Sequence, residues 1–294
     1  MKKVVALGFF DGVHMGHGAL LELAVKRARE LDAVPSAISF DVHPDTLVRG
    51  ASVPLICSIS GRQSLMERLY GIEDVILIHF NYETMNMPWQ QFLDNMVHDF
   101  GAVHFVVGYD FRFGQRGQGN AERIAEYCRT NGLTWDVVPA VSVDGLRVSS
   151  TEIRRLLESG EMEQANRLMG HPYELQDRVR HGHKLGTRMG TPTVNMRIDR
   201  DMLVPRHGVY VTKVYLEDGR VFPGVTNIGV RPTVSGSNSV TVETFILDFS
   251  GDLYESQVRV EFYSFLRPEQ KFADTEELQR SILRDAQSAR DYFA

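Results

Sequence analysis

Short apolar runs alternate with helix-periodic stretches through the first half of the chain, and this alternation limits the possible folds more than any other feature. Val4–Phe9, Val34–Phe40, Val75–Phe80, His104–Tyr109 and Thr134–Val141 have the length and apolar content of buried strands. Between the first two, Leu20, Ala24, Ala28 and Leu31 recur at helical spacing. After Pro88, a favoured first-turn residue, Trp89, Phe92, Leu93, Met96, Val97 and Phe100 do the same. Asn120 is placed to cap a helix through Cys128 that stops at Asn131-Gly132. Strand, helix and strand in this order predict an α/β domain built on a parallel sheet covered on both faces. Such sheets bind ligands beyond the carboxyl ends of their strands, so the loops there are the first place to look for chemistry.

After about Gly170 the period changes. Gly208–Leu216, Arg220–Val225, Val240–Phe249 and Val258–Leu266 read as strands, with Asp218-Gly219 as a type I′ hairpin signal and Ser250-Gly251-Asp252 as another turn. This pattern predicts a small antiparallel β-barrel. A last helix follows, opened by Asp274 and Glu277 as a capping box and carrying Leu278, Ile282, Ala286 and Ala289 on one face. The expected division is residues 1–170 and 171–294.

The 294 residues suffice for two ordinary domains, and 43% apolar with 24% charged residues is a globular composition. A net charge of −6 argues against a broad nucleic-acid surface. The two cysteines, Cys57 and Cys128, have no CxxC or Cys/His neighbour, which excludes a disulfide framework and favours a reducing compartment. The apolar N-terminal run breaks at Phe10-Asp11-Gly12, too early for a signal or membrane segment, so a cytoplasmic location is expected.

Gly8-Phe9-Phe10-Asp11-Gly12-Val13-His14-Met15-Gly16-His17 runs from the first strand into the first helix. Glycines at 8, 12 and 16 let the backbone approach a ligand closely, and a helix N-terminus directs unpaired N–H groups at an anion. His14 and His17 add two donors near the same point. The set suits a triphosphate attacked at its α-phosphorus. The plainer reading makes Asp11-Gly12 a turn and His17 a helix cap. GxxxxGK[ST] does not occur, which argues against a P-loop kinase.

This segment resembles the HxGH nucleotidyltransferase superfamily, and in its Phe-Asp-Gly-Val-His form the adenylyltransferase module of prokaryotic FAD synthetases. Ser39-Phe40-Asp41-Val42-His43-Pro44 is similar to that family's FDPHP segment, with Val42 where proline is common. Val107-Gly108-Tyr109-Asp110-Phe111-Arg112-Phe113-Gly114 resembles its flavin-side loop. The resemblance implies flavin contacts from Gly108, Asp110, Phe111 and Phe113, although two aromatics flanking an arginine also pack locally. Val148-Ser149-Ser150-Thr151-Glu152-Ile153-Arg154 is similar to the ISSTxIR segment. It implies ATP-phosphate contacts from Ser149, Ser150, Thr151 and Arg154, beside those of Gly8, Phe10, Asp11, Gly12 and Gly16. Ser149 and Glu152 are equally spaced for a capping box, and a capped helix start is itself an anion site.

In the second half Gly182, Gly186 and Gly190 recur every four residues before Thr191-Pro192-Thr193-Val194-Asn195. Three glycines cost a helix about 1 kcal/mol each, so a glycine-rich flap over phosphates is the expectation. Thr193 and Asn195 offer two oxygens on one side of a strand, hard ligands of the kind Mg²⁺ accepts beside phosphate and water. Asn227-Ile228-Gly229-Val230-Arg231-Pro232-Thr233, Val242-Glu243-Thr244 and Phe265-Leu266-Arg267-Pro268-Glu269-Gln270-Lys271-Phe272 resemble the riboflavin kinase module in order and spacing. That resemblance implies a six-stranded barrel with a C-terminal helix, Glu243 as general base for the ribityl hydroxyl, and flavin contacts from Arg231 and Arg267. Without it, Glu243 reads as an outward residue on a strand.

The two resemblances together span nearly the whole chain and imply conversion of riboflavin to FMN, then of FMN to FAD, with ATP as co-substrate and Mg²⁺ as cofactor. A different HxGH transferase, such as a pantetheine-phosphate or cytidylyl enzyme, leaves the second half unexplained. A flavin-binding regulator that has lost turnover is opposed by the presence of His14, His17, Thr193, Asn195 and Glu243. No nucleic acid or membrane is expected as partner, and a weak homo-oligomer is left open.

Overall fold

The structure is a computed structural model that describes residues 1–50, 52–179, 193–232, 238–251 and 253–294. Its contacts divide it into two compact units, Met1–Ser150 and Thr151–Ala294.

The first unit contains a five-stranded parallel sheet in the order β3-β2-β1-β4-β5. The strands are β1 (Lys3–Leu7), β2 (Val34–Phe40), β3 (Asp74–Ile78), β4 (Ala102–Gly108) and β5 (Thr134–Val138). The connecting helices are α1 (Met15–Leu31), α2 (Pro44–Arg49), α3 (Ile59–Tyr70), α4 (Tyr82–Asn86), α5 (Trp89–His98) and α6 (Ala121–Asn131). Strand alternation sends Val4 and Ala6 to one face, against Leu21, Ala24 and Leu65. Val5 and Leu7 go to the other, against Phe92, Leu93 and Ile124. Burial of each large side chain contributes roughly 1.5–3 kcal/mol, so a sheet covered on both faces needs the near-continuous apolar strands seen in the sequence. Asn120 caps α6 by accepting from the Arg123 amide at 2.8 Å, and Gly132 ends it in the left-handed conformation. A small hairpin, β6 (Ser142–Val143) and β7 (Leu146–Arg147), follows β5.

Helix α7 (Ser150–Ser159) begins at the unit boundary, and α8 (Met162–Met169) follows it. Both lie before residue 171 yet belong to the second unit, apart from Ser150 itself. The Asn166 side chain explains the grouping of α8, donating to the Phe262 carbonyl at 2.7 Å and accepting from the Tyr173 amide at 2.8 Å.

The second unit is a six-stranded antiparallel sheet in the order β8-β13-β10-β11-β12-β9. Its strands are β8 (Tyr173–Arg178), β9 (Thr193–Met196), β10 (Gly208–Leu216), β11 (Val221–Pro232), β12 (Asn238–Ile246) and β13 (Gln257–Arg267). Among the described residues the edge strands β8 and β9 share no ladder, so the sheet is a half-barrel. The Arg197 amide, just after β9, donates to Asp177 on β8 at 2.9 Å. The β10–β11 turn also departs from type I′. In it only Gly219 takes a positive φ, 85°, while Asp218 accepts from the Arg220 amide and pairs with its guanidinium. Side-chain hydrogen bonding replaces the second left-handed residue. The closing helix, α9 (Thr275–Phe293), starts where Asp274 accepts from the Glu277 amide at 2.8 Å. Its Ala286 and Ala289 pack on Val209, Val211 and Val225.

Candidate functional site

In the parallel sheet β1 and β4 are neighbours whose onward partners, β2 and β5, lie on opposite sides. Chain connections therefore leave a crevice at their carboxyl ends. A cleft of about 260 Å³ lies there. It is lined by Gly8 and Phe9 after β1, Gly108 to Phe111 after β4, and His14, Gly16 and His17 of the first helical turn. Ser149 and Ser150, which open α7, complete it together with Arg147.

The turn that carries the histidines is strained. Phe10 has φ 59°, Gly12 72° and Val13 38°, a conformation costly for a β-branched residue. Packing holds it there. Phe10 and Val13 are fully buried, and a Cβ on Gly12 would approach the Ile56 side chain to 2.8 Å. The Asp11 carboxylate accepts from the amides of Ile56 at 2.9 Å and Cys57 at 3.2 Å, and the Gly12 amide donates to Cys57 Sγ at 3.1 Å. Burial, then the nearby Asp11 charge, pushes the Cys57 thiol up to about 12, so it stays protonated at neutral pH.

His14, not His17, caps α1: its Nδ1 accepts from the His17 amide at 3.2 Å. The ring of His17 then lies parallel to that of His14, with centroids 3.6 Å apart, and Phe10 meets it edge-on at 5.2 Å. Burial, followed by electrostatic coupling to His14 and to Arg62, holds His17 well below the ordinary imidazole value of 6.5. It is a neutral donor at pH 7. Its Nδ1 is buried and has no hydrogen-bond partner among the described residues.

The structure gives the expected contact residues differing surroundings. Phe10, Asp11 and Gly12 lie beneath the cleft rather than in it, because the turn consumes the Asp11 carboxylate in holding the Ile56–Cys57 backbone. Phe113 is 6% exposed and packs on Phe92 and Phe111 in the core, leaving only Phe111 at the cleft wall. Asp110 pairs with Arg147 at 2.8 Å, and Arg147 also covers the ring of Tyr109, so the loop after β4 is tied to the β6–β7 hairpin. Thr151 and Arg154 lie in the first turns of α7, within the second unit.

In the antiparallel sheet, Asn195 on β9 is the cross-strand partner of Glu243 on β12, and Glu243 of Asn227 on β11. Thr193 lies two residues from Asn195 on the same side, opposite Phe245. Alternation turns Val194 inward, where it is 6% exposed. The face therefore presents hydroxyl, amide, carboxylate and amide groups in one half-buried patch. Asn227 reaches toward Glu269, Nδ2 to Oε1 3.5 Å. On the inward face, Thr212, Thr226 and Thr244 hydroxyls form a buried chain at 2.9 and 2.8 Å.

The donor set of Thr193 and Asn195 is oxygen only, and among the described residues no cluster of three His, Cys, Asp or Glu side chains forms a cage. That chemistry fits a hard cation sharing its shell with phosphate and water. Arg267 instead forks onto Asp285 of α9, with a shortest contact of 2.7 Å, because a buried carboxylate needs a partner. The side chain of Arg231 and all of Gly182, Gly186 and Gly190 lie outside the described residues. Asn227 and Glu269 lie in the motif segments and Arg147 just before one, without any local sign of a site role, and strand register is what brings Asn227 to Glu243.

Two family models match the chain, one described as FAD synthetase over residues 1–152 and one as riboflavin kinase over residues 169–293. The bifunctional riboflavin kinase/FMN adenylyltransferase of Pseudomonas fluorescens is 38% identical over 98% of this chain and 92% of its own. That of Listeria monocytogenes is 32% identical over 100% and 93%. A crystal structure described as a macrolide-efflux protein from Streptococcus pneumoniae matches 98% of this chain and 94% of its own, with TM-score 0.86 and 26% identity. Among the described residues no helix is long and apolar enough to cross a membrane.

Proposed function

The chain belongs to the family of bifunctional riboflavin kinase/FMN adenylyltransferases, and from that premise we propose which residues carry each activity. The enzyme phosphorylates riboflavin to FMN and transfers AMP from ATP to FMN, giving FAD and pyrophosphate. Adenylyl transfer is assigned to the cleft of His14 and His17, and riboflavin phosphorylation to the sheet face of Glu243. The observation that carries this division is that the two clusters fall in different compact units.

In the cleft, a phosphate oxygen of FMN attacks the α-phosphorus of ATP in line, and the bond to the pyrophosphate oxygen breaks. Negative charge concentrates on the transferring group, so fixed donors aimed at it lower the barrier. His17 supplies such a donor without bringing a charge of its own, beside the α1 N-terminus and the Ser149–Ser150 opening of α7. Phe111 at the cleft wall offers an aromatic face to the isoalloxazine.

On the sheet, Glu243 accepts the proton of the ribityl 5′-hydroxyl as that oxygen attacks the γ-phosphorus. Asn195 and Asn227, on either side of it, orient the carboxylate and hydroxyl. Thr193 and Asn195 would hold Mg²⁺, which when bound neutralises phosphate charge. The expected glycine flap at 182–190, the activity boundary near residue 170, and a cytoplasmic setting complete the proposal; two buried free thiols support the last.

The test is chromatography of purified protein incubated with riboflavin, ATP and Mg²⁺. FMN and then FAD are expected from the native chain, FMN alone from His17→Ala, and FAD only from supplied FMN with Glu243→Gln. Loss of both activities in either folded variant would reject the assignment.

A further inference from the structure

Among the described residues Arg62 is the one fully buried arginine, and no part of the mechanism above uses it. It sits in the first turn of α3, where an arginine ordinarily reaches solvent. Its Nη1 donates to Ser39 Oγ at 2.7 Å and to the Phe40 carbonyl at 2.9 Å, at the carboxyl end of β2. Ser39 Oγ in turn donates to the Phe9 carbonyl at 2.8 Å, and the guanidinium covers the Phe9 ring at 4.2 Å. Its Nε and Nη2 have no nitrogen or oxygen partner among the described residues, and the buried Cys57 thiol lies against the guanidinium. A buried guanidinium hydrogen-bonded to neutral groups is costly to desolvate.

Two consequences follow from where it lies. The Ser39–Phe9 link anchors the residue immediately before the strained Phe10–Val13 turn, so Arg62 holds the base from which His14 and His17 project. Its charge also acts on His17, whose Nδ1 is buried and unpartnered. In the field of a cation, an unpartnered ring nitrogen is less costly as a lone pair than as an N–H. The proton is thereby left on Nε2.

We infer that Arg62 is a positioning residue for adenylyl transfer, fixing the Phe9–Phe10 turn through Ser39 and Phe40 and presenting His17 as an Nε2–H donor. The inference rests on the assignment of His17 to that reaction. The ionisable groups around His17 are His14, stacked on it from α1, and Arg62 from α3, while the Asp11 carboxylate one turn away is engaged by the Ile56 and Cys57 amides.

The full chain is compared with Arg62→Gln and Arg62→Lys, measuring both activities and the imidazole ¹⁵N spectrum of His17. In Arg62→Gln, kcat for FAD formation should fall roughly 10- to 10²-fold with the KM for ATP little changed, since the donor is misplaced rather than removed. The His17 imidazole should titrate at higher pH than in the native chain, and riboflavin phosphorylation should be unchanged. Arg62→Lys should restore the titration but only part of kcat, because an ammonium lacks the fork that spans Ser39 and Phe40. Native kcat and native His17 titration in a folded Arg62→Gln variant would overturn the inference. So would an Nδ1–H tautomer of His17 in the native protein, a measurement that needs no variant. If His17→Ala retains full turnover, the assignment of His17 has failed; if it does not and Arg62→Gln is silent, only the role of Arg62 has failed.

Discussion

The imidazoles of His14 and His17 lie face to face, with centroids 3.6 Å apart and planes 9° from parallel. Two imidazolium ions at that separation would repel strongly, so the stack is a pair of neutral rings or carries one charge. The capping nitrogen belongs to His14, which separates catalysis from helix stability. His17→Ala should lower kcat for FAD formation by roughly 10²–10³ with a small change in KM. His14→Ala should add a loss of about 1 kcal/mol in stability. Steady-state kinetics beside thermal melts distinguish the two, and near-native turnover of folded His17→Ala would remove it from the chemistry.

Both tryptophans, Trp89 and Trp135, lie in the Met1–Ser150 unit, so selectively excited tryptophan fluorescence follows the melting of that unit. His17 is held well below 6.5 by burial, then by His14 and Arg62, whereas in the unfolded chain it titrates near the ordinary value. Below about pH 6.5 the unfolded state therefore binds a proton that the folded state refuses, and stability falls as pH falls. Above that pH this contribution is constant. The fluorescence melt should shift downward on acidification from pH 7 toward pH 5, with a shallower slope in His17→Gln. Equal slopes would show that His17 is charged in the folded unit. His104, held low by burial despite Asp136, acts with the same sign and remains in both proteins.

On the antiparallel sheet, Glu243→Gln keeps shape and hydrogen bonding but removes the base. Riboflavin phosphorylation should drop by roughly 10²–10⁴ while FMN adenylylation stays within error. Thr193→Val, nearly isosteric, should raise the Mg²⁺ concentration needed for half-maximal phosphorylation. A Mg²⁺ dependence identical to native would exclude Thr193 as an oxygen donor.

A fragment beginning at Thr151 retains α7 and α8, including the Asn166 bridge to Phe262 and Tyr173. One beginning at residue 171 leaves that carbonyl and amide without their partner, at about 1–3 kcal/mol each. The longer fragment should melt higher and phosphorylate riboflavin more durably. Indistinguishable melts would mean that α8 contributes nothing to the unit.

Much of the architecture is legible from local signals. Asn120 and Gly132 bracket α6 because a short polar side chain and a left-handed glycine satisfy helix ends without outside help. Signals that depend on distant partners are not. Asp218-Gly219 reads as a type I′ turn until Arg220 is seen to bind Asp218. Asp11 reads as a ligand contact because its true partners, the Ile56 and Cys57 amides, are far along the chain. Phe113 and Arg267 likewise look available until Phe92 and Asp285 claim them. Arg62 gives no signal at all, since nothing local distinguishes a buried arginine in a helix from an exposed one. Asn227 becomes a site residue only through register.

The chain of hydroxyls from Thr212 through Thr226 to Thr244 has a consequence for assembly of the antiparallel sheet. Two of these threonines sit next in sequence to a residue of opposite destiny: Thr226 beside Asn227, Thr244 beside Glu243. If β11 or β12 mispaired by a single residue, the hydroxyls would turn to the outside and the carboxylate and amides inward, where no partner awaits them. The correct pairing is the one that satisfies both faces at once. The polar groups assigned to phosphorylation thus also proofread the folding of the strands that hold them, and a chain that has found its stable register has already put its reactive face outward.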